Sequence, residues 1–495
     1  MHILCSRSPI PFFRAACLAL WLLVAACGWE ASEGGGEIDS APGQETVHSG
    51  NPGPSLILVT IDTLRRDHLS LHGYRYATSP GFEALQGELL VFDHALSTSP
   101  WTMPSTASLF TGLYPSGHGG HGSRAIRDDV PLLAEAFAAA GYRTAAFSGN
   151  PYVSSRYGLA RGFQDFIFLG GAKAKAYRDL SEILASARSW LDENAGEPFF
   201  LYLHLMNVHG PYRAPASYGD RFVDGPTQPF EFQSELWLDI ARRDRTERRA
   251  EVSEEHLRDI AGRYDRAIAY TDSLLGEFVE ELRARGLLDH SILVVTSDHG
   301  EEFFEHGSFG HRHALHAELL DIPLFIRLPG GRMGGVRFAE PVSLIDVPPT
   351  VLDLAGLLDR QPEGEFGVGR SLVPLVDGDP SSGPPRALMA ELAQQKRSGS
   401  MVQLWPYRLI QMSSESAPRL YRVDQGAWQR VDEAGEAAPL IERLTALGAT
   451  LSDEAGGHVG AEVAEPVEGA LRDQLEALGY LEGRPSEASP EPADP

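Results

Sequence analysis

Three stretches of almost unbroken apolar residues constrain this chain more than any other feature: SLILVTID (residues 55–62), FFLYLHLMNVHG (199–210) and SILVVTSDHG (291–300). A strand with one wet face alternates apolar and polar residues. These do not, so each must be buried on both faces, the condition found in parallel sheets covered by helices on either side. Helical patterns stand between them. PLLAEAFAAAG leads into the strand-like YRTAAFSGN, and Leu180, Ile183, Leu184, Ala187, Trp190 and Leu191 mark one helix face. Leu257, Ile260, Tyr264, Ile268, Leu274, Leu275, Phe278 and Leu282 stripe a longer helix. Strand and helix in alternation predict βαβ units, an α/β fold with a doubly wound, mostly parallel sheet.

The chain has 495 residues, 43% hydrophobic and 22% charged, enough for one large domain and a smaller one. Its net charge of −26 argues against nucleic acid as a partner. Any anion must be bound locally, by a metal or a helix N-terminus. At the start, Arg7 and Arg14 precede the apolar run AACLALWLLVAAC, too short to span a membrane and typical of a secretory signal. Its end, V-A-A-C, resembles a bacterial lipoprotein lipobox, which implies cleavage before Cys27 and lipidation of its thiol; an ordinary signal peptide is the other reading. Cys5 and Cys17 fall inside the signal, so the mature chain keeps only Cys27 and has no disulfide framework. The expected organisation is a signal at 1–27, a Gly/Ser/Glu/Pro-rich tether at 28–53 and a catalytic domain at 54–377. GDPSSGPP then marks a boundary. LMAEL, MVQLWPYRLIQM and RLYRVD follow as short antiparallel strands, and Leu471, Leu475 and Leu478 mark a final helix in a subdomain at 378–482. An acidic, Pro-rich disordered tail occupies 483–495.

The three buried runs lead into Asp62, His209 and Asp298-His299. Ligand sites of open α/β sheets lie beyond the carboxyl ends of the strands, so these residues are expected to converge. Carboxylates with imidazole suit a divalent cation of the zinc or manganese type, and oxygen-rich coordination suits calcium. In TSPWTMPSTASLFTG (98–112), Pro104 and Ser105 stand where a helix would start and Gly112 where it would stop, which aims the helix N-terminus at Thr102.

IDTLRRDHLSLHGY, the Thr102 segment, LHLMNVHGPY, TSDHGEEFFEHGSFGHR and VSLIDVPPTVLDLAG together resemble, in order and spacing, the sulfatases of the alkaline phosphatase superfamily. The resemblance runs from about residue 56 to 423. It implies a large doubly wound α/β domain, a smaller antiparallel C-terminal sheet subdomain, and metal-assisted displacement at a sulfuryl or phosphoryl centre. It makes Asp62, Asp298 and His299 metal ligands, with Thr102 as a further ligand, for one divalent ion (Zn, Mn or Ca) and room for a second. Thr63 stands where many sulfatases have a second aspartate. His209 resembles the histidine that contacts the ester, and His311 a basic residue at the substrate or leaving group. His306, His313 and His316 have no counterpart and read as solvated loop residues.

The chain departs from the pattern at the signature. Where sulfatases read C/S-x-P-S-R, this one reads Thr102-Met103-Pro104-Ser105-Thr106. Threonine cannot be oxidised to the formylglycine aldehyde, the signature arginine is Thr106, and a common Gly-Lys pair is Gly149-Asn150. Threonine serves as nucleophile in related phosphoethanolamine transferases. The expected function is therefore a lipid-anchored hydrolase of sulfate or phosphate esters of the bacterial envelope, with Thr102 as nucleophile. It would act on a small-molecule or glycan ester and sit at the membrane through Cys27. An envelope phospho-group transferase and a non-catalytic binding protein are the alternatives. Residues 218–251, with Trp237, are expected to border the site.

Overall fold

The computed structural model describes residues 53–121, 124–170, 179–230, 252–361, 366–378, 386–394, 397–424, 427–431 and 437–456. The signal and lipobox, nearly all of the tether, Trp237, the helix placed at Leu471–Leu478 and the acidic tail lie outside them.

The strands, in chain order, are β1 (Ser55–Ile61), β2 (Leu90–Leu96), β3 (Arg143–Ser148), β4 (Asp165–Phe168), β5 (Phe199–Leu205) and β6 (Ser291–Thr296). A two-residue ladder, β7 (Glu302–Phe303) with β8 (Phe309–Gly310), precedes β9 (Asp321–Arg327), β10 (Val336–Phe338) and β11 (Val342–Ser343). The main sheet has nine strands in the order β10-β2-β9-β6-β1-β5-β3-β4, with β11 continuing beside β2. Only β9 runs against its neighbours; every other pairing in this sheet is parallel.

The absence of alternation in β1 has its expected cause. Leu56 and Leu58 enter one core with Phe200, Tyr202, Ile292 and Val294, while Ile57, Val59 and Ile61 enter another with Leu201, Leu203, Leu293 and Val295. Helices Leu180–Asn194 and Glu254–Ala284 cover the second face. Helices Thr102–Thr111 and Leu133–Ala139 cover the first. Both long helices start on a side-chain cap: Asp179 accepts from the Ser181 N–H and Ser253 from the His256 N–H. No helix among the described residues is long and apolar enough to cross a membrane.

A second, antiparallel sheet follows in the order β12 (Leu388–Ala393), β13 (Ser398–Leu404), β14 (Tyr407–Met412), β15 (Arg419–Asp424) and β16 (Ala427–Arg430). MVQLWPYRLIQM is a hairpin turning at Trp405-Pro406. A helix at Ala437–Glu454 packs Leu440, Ile441, Leu444 and Leu447 against this sheet; the sequence reading had not placed it. The second sheet is not an independent body. Leu388, Ala390, Leu392, Met401, Ile410 and Met412 belong to the same core as Leu56 and Phe92. Arg408 of β14 pairs with Asp321 at the start of β9, and Asp346 accepts from the Ser343 and Arg370 N–H groups (2.8 and 2.9 Å) while pairing with Arg386.

Truncating Asp346 strands that guanidinium and two buried donors. Asp346→Ala should cost about 3–5 kcal/mol in urea unfolding, and because the two sheets share one core, far-UV and near-UV probes should report a single transition. Separate transitions for the two sheets would contradict the shared core.

Candidate active site

Helix Thr102–Thr111 is buried along its whole length. Trp101, extended at φ −170°, is its N-cap, so the helix begins at Thr102 itself rather than at Pro104. Pro104 fits as the third helical residue because the first turn's N–H groups have no intrahelical acceptor. Gly112 ends the helix at φ 68°, and a Cβ there would lie 2.2 Å from the Phe366 carbonyl, so glycine is required. His118 anchors the helix from outside. Its Nδ1 accepts from the Gly120 N–H (3.0 Å), leaving Nε2–H to donate to the Pro104 carbonyl (3.1 Å). Burial lowers its pKa to about 3, so it stays neutral.

The predicted residues do converge. Asp62, Asp298 and His299 are fully buried, and each offers a ligand atom within 4.8 Å of the others. Asp62 Oδ2 accepts from Asn150 Nδ2 (2.6 Å) and from His204 Nε2 (3.0 Å), whose Nδ1 meets the Tyr202 hydroxyl (3.0 Å). Asp298 Oδ1 accepts from the His299 and Thr63 N–H groups (3.0 and 3.3 Å). The other oxygen of each carboxylate is buried with no hydrogen-bond partner. His299 Nδ1–H must donate to the Gly300 carbonyl (2.9 Å), because a carbonyl only accepts. Its Nε2 lone pair therefore faces Asp298 Oδ2 at 3.5 Å and Asp62 Oδ1 at 3.6 Å. Three ligand atoms with lone pairs converge, which is the environment of a cation. The two carboxyls titrate in opposite directions. Burial, with the Asp62 charge, pushes Asp298 well above the carboxylate range. Burial opposes the Asp62 charge too, but the His204 hydrogen bond and neighbouring imidazoles hold its pKa below the usual range. Thr63, φ 59°, places a buried Oγ1 without a partner beside this group.

Thr102 joins the same cluster: Oγ1 lies 3.3 Å from His299 Nε2 and 3.4 Å from Asn150 Nδ2. His209 donates Nδ1–H to the Gly210 carbonyl (2.8 Å), and its ring centroid is 5.2 Å from that of His311. His311, 4.5 Å from the His299 ring, sets Nδ1 2.8 Å from Glu301 Oε1, whose other oxygen accepts from the Tyr212 hydroxyl (3.1 Å). Burial, reinforced by His299 and His209, drives His311 well below the ordinary histidine range.

Sequence reasoning missed His204, Glu301 and Tyr212, and noted Asn150 only as a departure. It also misread two histidines. His313 and His316 are not solvated: His313 Nε2 lies 2.5 Å from Glu302 Oε2, and His316 is 5% exposed and stacks on His306 at 3.7 Å. Of residues 218–251, the described part packs away from solvent at Phe230, which meets Phe309 and His256.

A family model described as Sulfatase matches residues 54–357. Arylsulfatase K of Xenopus laevis is 25% identical over 445 residues, 80% of this chain and 81% of its own. An arylsulfatase of Clostridium perfringens is 24% identical over 367 residues, 61% of this chain and 75% of its own. The phosphonate monoester hydrolase of Silicibacter pomeroyi superposes with a TM-score of 0.66 at 18% identity, over 82% of this chain and 96% of that one. A protein solved with its substrate D-glucosamine-2-N,6-O-disulfate superposes at 0.65 and 17%, over 83% and 99%. At these identities the solved structures establish the fold.

Two outcomes are expected. His204→Ala, which removes one of the two donors that hold Asp62 Oδ2, should weaken divalent-metal affinity about 10–100-fold in chelator competition; unchanged affinity would remove Asp62 from the ligand set. Burial opposes the Glu302 charge, but the hydrogen bond and charge of His313 hold its pKa down at about 2, against 4.5 unperturbed. Because the folded pKa is depressed, that stabilisation exists above pH 4.5 and is lost as pH falls towards 2. His313→Ala should therefore cost roughly 2–3 kcal/mol at neutral pH, and progressively less through that window in denaturant titrations.

Proposed function

The chain belongs to the sulfatase family and is a sulfuric or phosphoric ester hydrolase, and on that premise we propose that Thr102 is its nucleophile, acting with a divalent metal. The observation that carries this reading is the position of Thr102 Oγ1, 3.3 Å from His299 Nε2 within the Asp62–Asp298–His299 group, at the first residue of a buried helix. Asp62, Asp298, His299 and Thr102 would hold the ion. Bound there, a divalent cation favours the alkoxide of Thr102 and neutralises charge on the transferred group. The unpartnered oxygens of Asp62 and Asp298 support the fit.

The protein's own groups do the rest. Asn150 Nδ2 bridges Asp62 and the Thr102 hydroxyl, fixing the rotamer of the attacking oxygen. The helix N-terminus favours negative charge at Thr102. His209 commits Nδ1–H to the Gly210 carbonyl, which leaves its Nε2 unprotonated, and His311 exchanges a hydrogen bond with the Glu301 carboxyl through Nδ1. One of them takes the Thr102 proton as Oγ1 attacks sulfur or phosphorus and the bond to the leaving oxygen breaks, and the proton then passes to that oxygen. Water then attacks the sulfur or phosphorus of the Thr102 ester, its bond to Oγ1 breaks, inorganic sulfate or phosphate leaves, and a proton from the water restores the Thr102 hydroxyl. Formylglycine chemistry is not needed, in keeping with threonine at 102 and asparagine at 150. The substrate class is a sulfate or phosphate ester of a small molecule or glycan, in line with the disulfated sugar bound by one structural neighbour. The V-A-A-C sequence supports lipidation at Cys27 and a place on the bacterial cell envelope.

Thr102→Ala should lower kcat/KM on 4-nitrophenyl sulfate or phosphate by at least ~10³-fold with metal content unchanged. Intact-mass analysis of the wild type, quenched during turnover, should place the covalent adduct on Thr102. Turnover by Thr102→Ala at the wild-type rate would sink the assignment.

A further inference from the structure

Once two carboxylates are offset by a divalent cation, the site still needs positive charge or donors for an anionic ester. The nucleophile helix has no charged residue in its first or last turn, position 106 is a buried threonine, and Asn150 is committed to Asp62 and Thr102. Arg65 is engaged by Asp67, Glu305 and the Glu301 carbonyl.

Arg312 is built differently. It follows His311 and holds φ 74°, a left-handed conformation that costs a non-glycine residue of order 1 kcal/mol. Its N–H donates to the Pro100 carbonyl at 3.0 Å, tying this strained turn to the segment that enters Thr102. The guanidinium carbon lies 4.8 Å from the centre of the Trp101 ring and 6.0 Å from that of Tyr152. Nη2 donates to Gln394 Oε1 at 3.2 Å, which fixes the amide with its Nε2 beside the arginine. That Nε2 is buried and has no hydrogen-bond partner, and neither has Nε1 of the fully buried Trp101. Buried donors without acceptors are costly and rare. Two of them beside one guanidinium, with Trp101 preceding Thr102 and Arg312 following His311, describe a place that lacks an oxyanion.

We propose that Arg312, Gln394 Nε2 and Trp101 Nε1 form an anion subsite next to Thr102 that binds an anionic oxygen group of the substrate. The shared chemistry is a sulfate, phosphate or carboxylate oxygen, either on the group being transferred or on a second anionic substituent of the same molecule. Arginine suits the task because its planar fork matches two oxygens at once and needs no proton exchange. The inference rests on ester hydrolysis only for its substrate arm, since anion binding is measurable without turnover.

The full chain, as wild type, Arg312→Gln, Arg312→Lys and Gln394→Ala, is titrated with inorganic sulfate and phosphate. Binding is read by thermal shift and by inhibition of 4-nitrophenyl ester turnover, with bound metal measured in parallel. Arg312→Gln should weaken anion binding about 10–100-fold, the range for charge-assisted hydrogen bonds. Arg312→Lys should fall in between, and Gln394→Ala should lose several-fold while leaving the Arg312 charge in place. A matching rise in KM for 4-nitrophenyl sulfate assigns the subsite to the transferred group. A rise confined to an ester carrying a second sulfate or carboxylate assigns it to that substituent. Anion affinities and KM values within twofold of wild type in both Arg312→Lys and Gln394→Ala, with metal retained, overturn the proposal even if Arg312→Gln fails to fold. Wild type that binds anions yet turns over no ester would instead overturn the hydrolase reading and leave the subsite standing.

Discussion

Asp62 and Asp298 face each other because the sheet leaves them no choice. β1 and β6 are parallel neighbours with Thr60 opposite Thr296, so two places beyond that pair a carboxylate stands opposite a carboxylate. Like charges so placed in a dry interior repel strongly, and each keeps one oxygen with nothing to accept from. The surrounding structure serves this pair. His204 and Asn150 hold one oxygen of Asp62, two backbone N–H groups hold one of Asp298, and His299 aims a lone pair between them. A folded state that positions this much unpaired acceptor capacity around one point stores a preference for a cation, and Thr102 is placed where that preference reaches a hydroxyl.

The frame of this arrangement was legible because the same physics writes it into composition. Strands buried on both faces read as apolar runs, and the first polar residues after such runs are the ones the sheet delivers to its carboxyl edge. Asp62, Asp298 and His299 follow directly, and Gly112 marks the end of the buried helix that begins at Thr102. His204 escaped because it lies inside an apolar strand, where one histidine gives no periodic signal; its role exists only through its neighbour across the β1–β5 ladder. Glu301 and Arg312 escaped for another reason. Their contacts are set by a loop of short ladders and left-handed residues between β6 and β9, whose path no periodicity encodes. The same loop buries His313 and His316, which polarity alone would have left in water. The helix start was displaced by two residues because proline is compatible with the whole first turn.

The second sheet belongs to the site as much as to the fold. The Glu391 N–H of β12 donates to the Thr98 carbonyl at 2.8 Å, Ser99 Oγ donates to the Glu391 carbonyl at 2.8 Å, and Gln394 closes against Arg312. The segment leading into Thr102 is thus pinned by a strand 292 residues further on.

That separation dictates an order of assembly. The β1, β5 and β6 ladders can form as soon as β6 has been made, and Ser97 and Pro100 find their partners in Leu320 and Arg312 soon after, but the Thr98 and Ser99 contacts with Glu391 wait for β12. During synthesis the Asp62–Asp298 end of the sheet therefore exists before the segment leading into Thr102 is fully pinned. A chain interrupted before β12 would carry the acceptors of Asp62 and Asp298 without the last ties on the segment that positions Thr102.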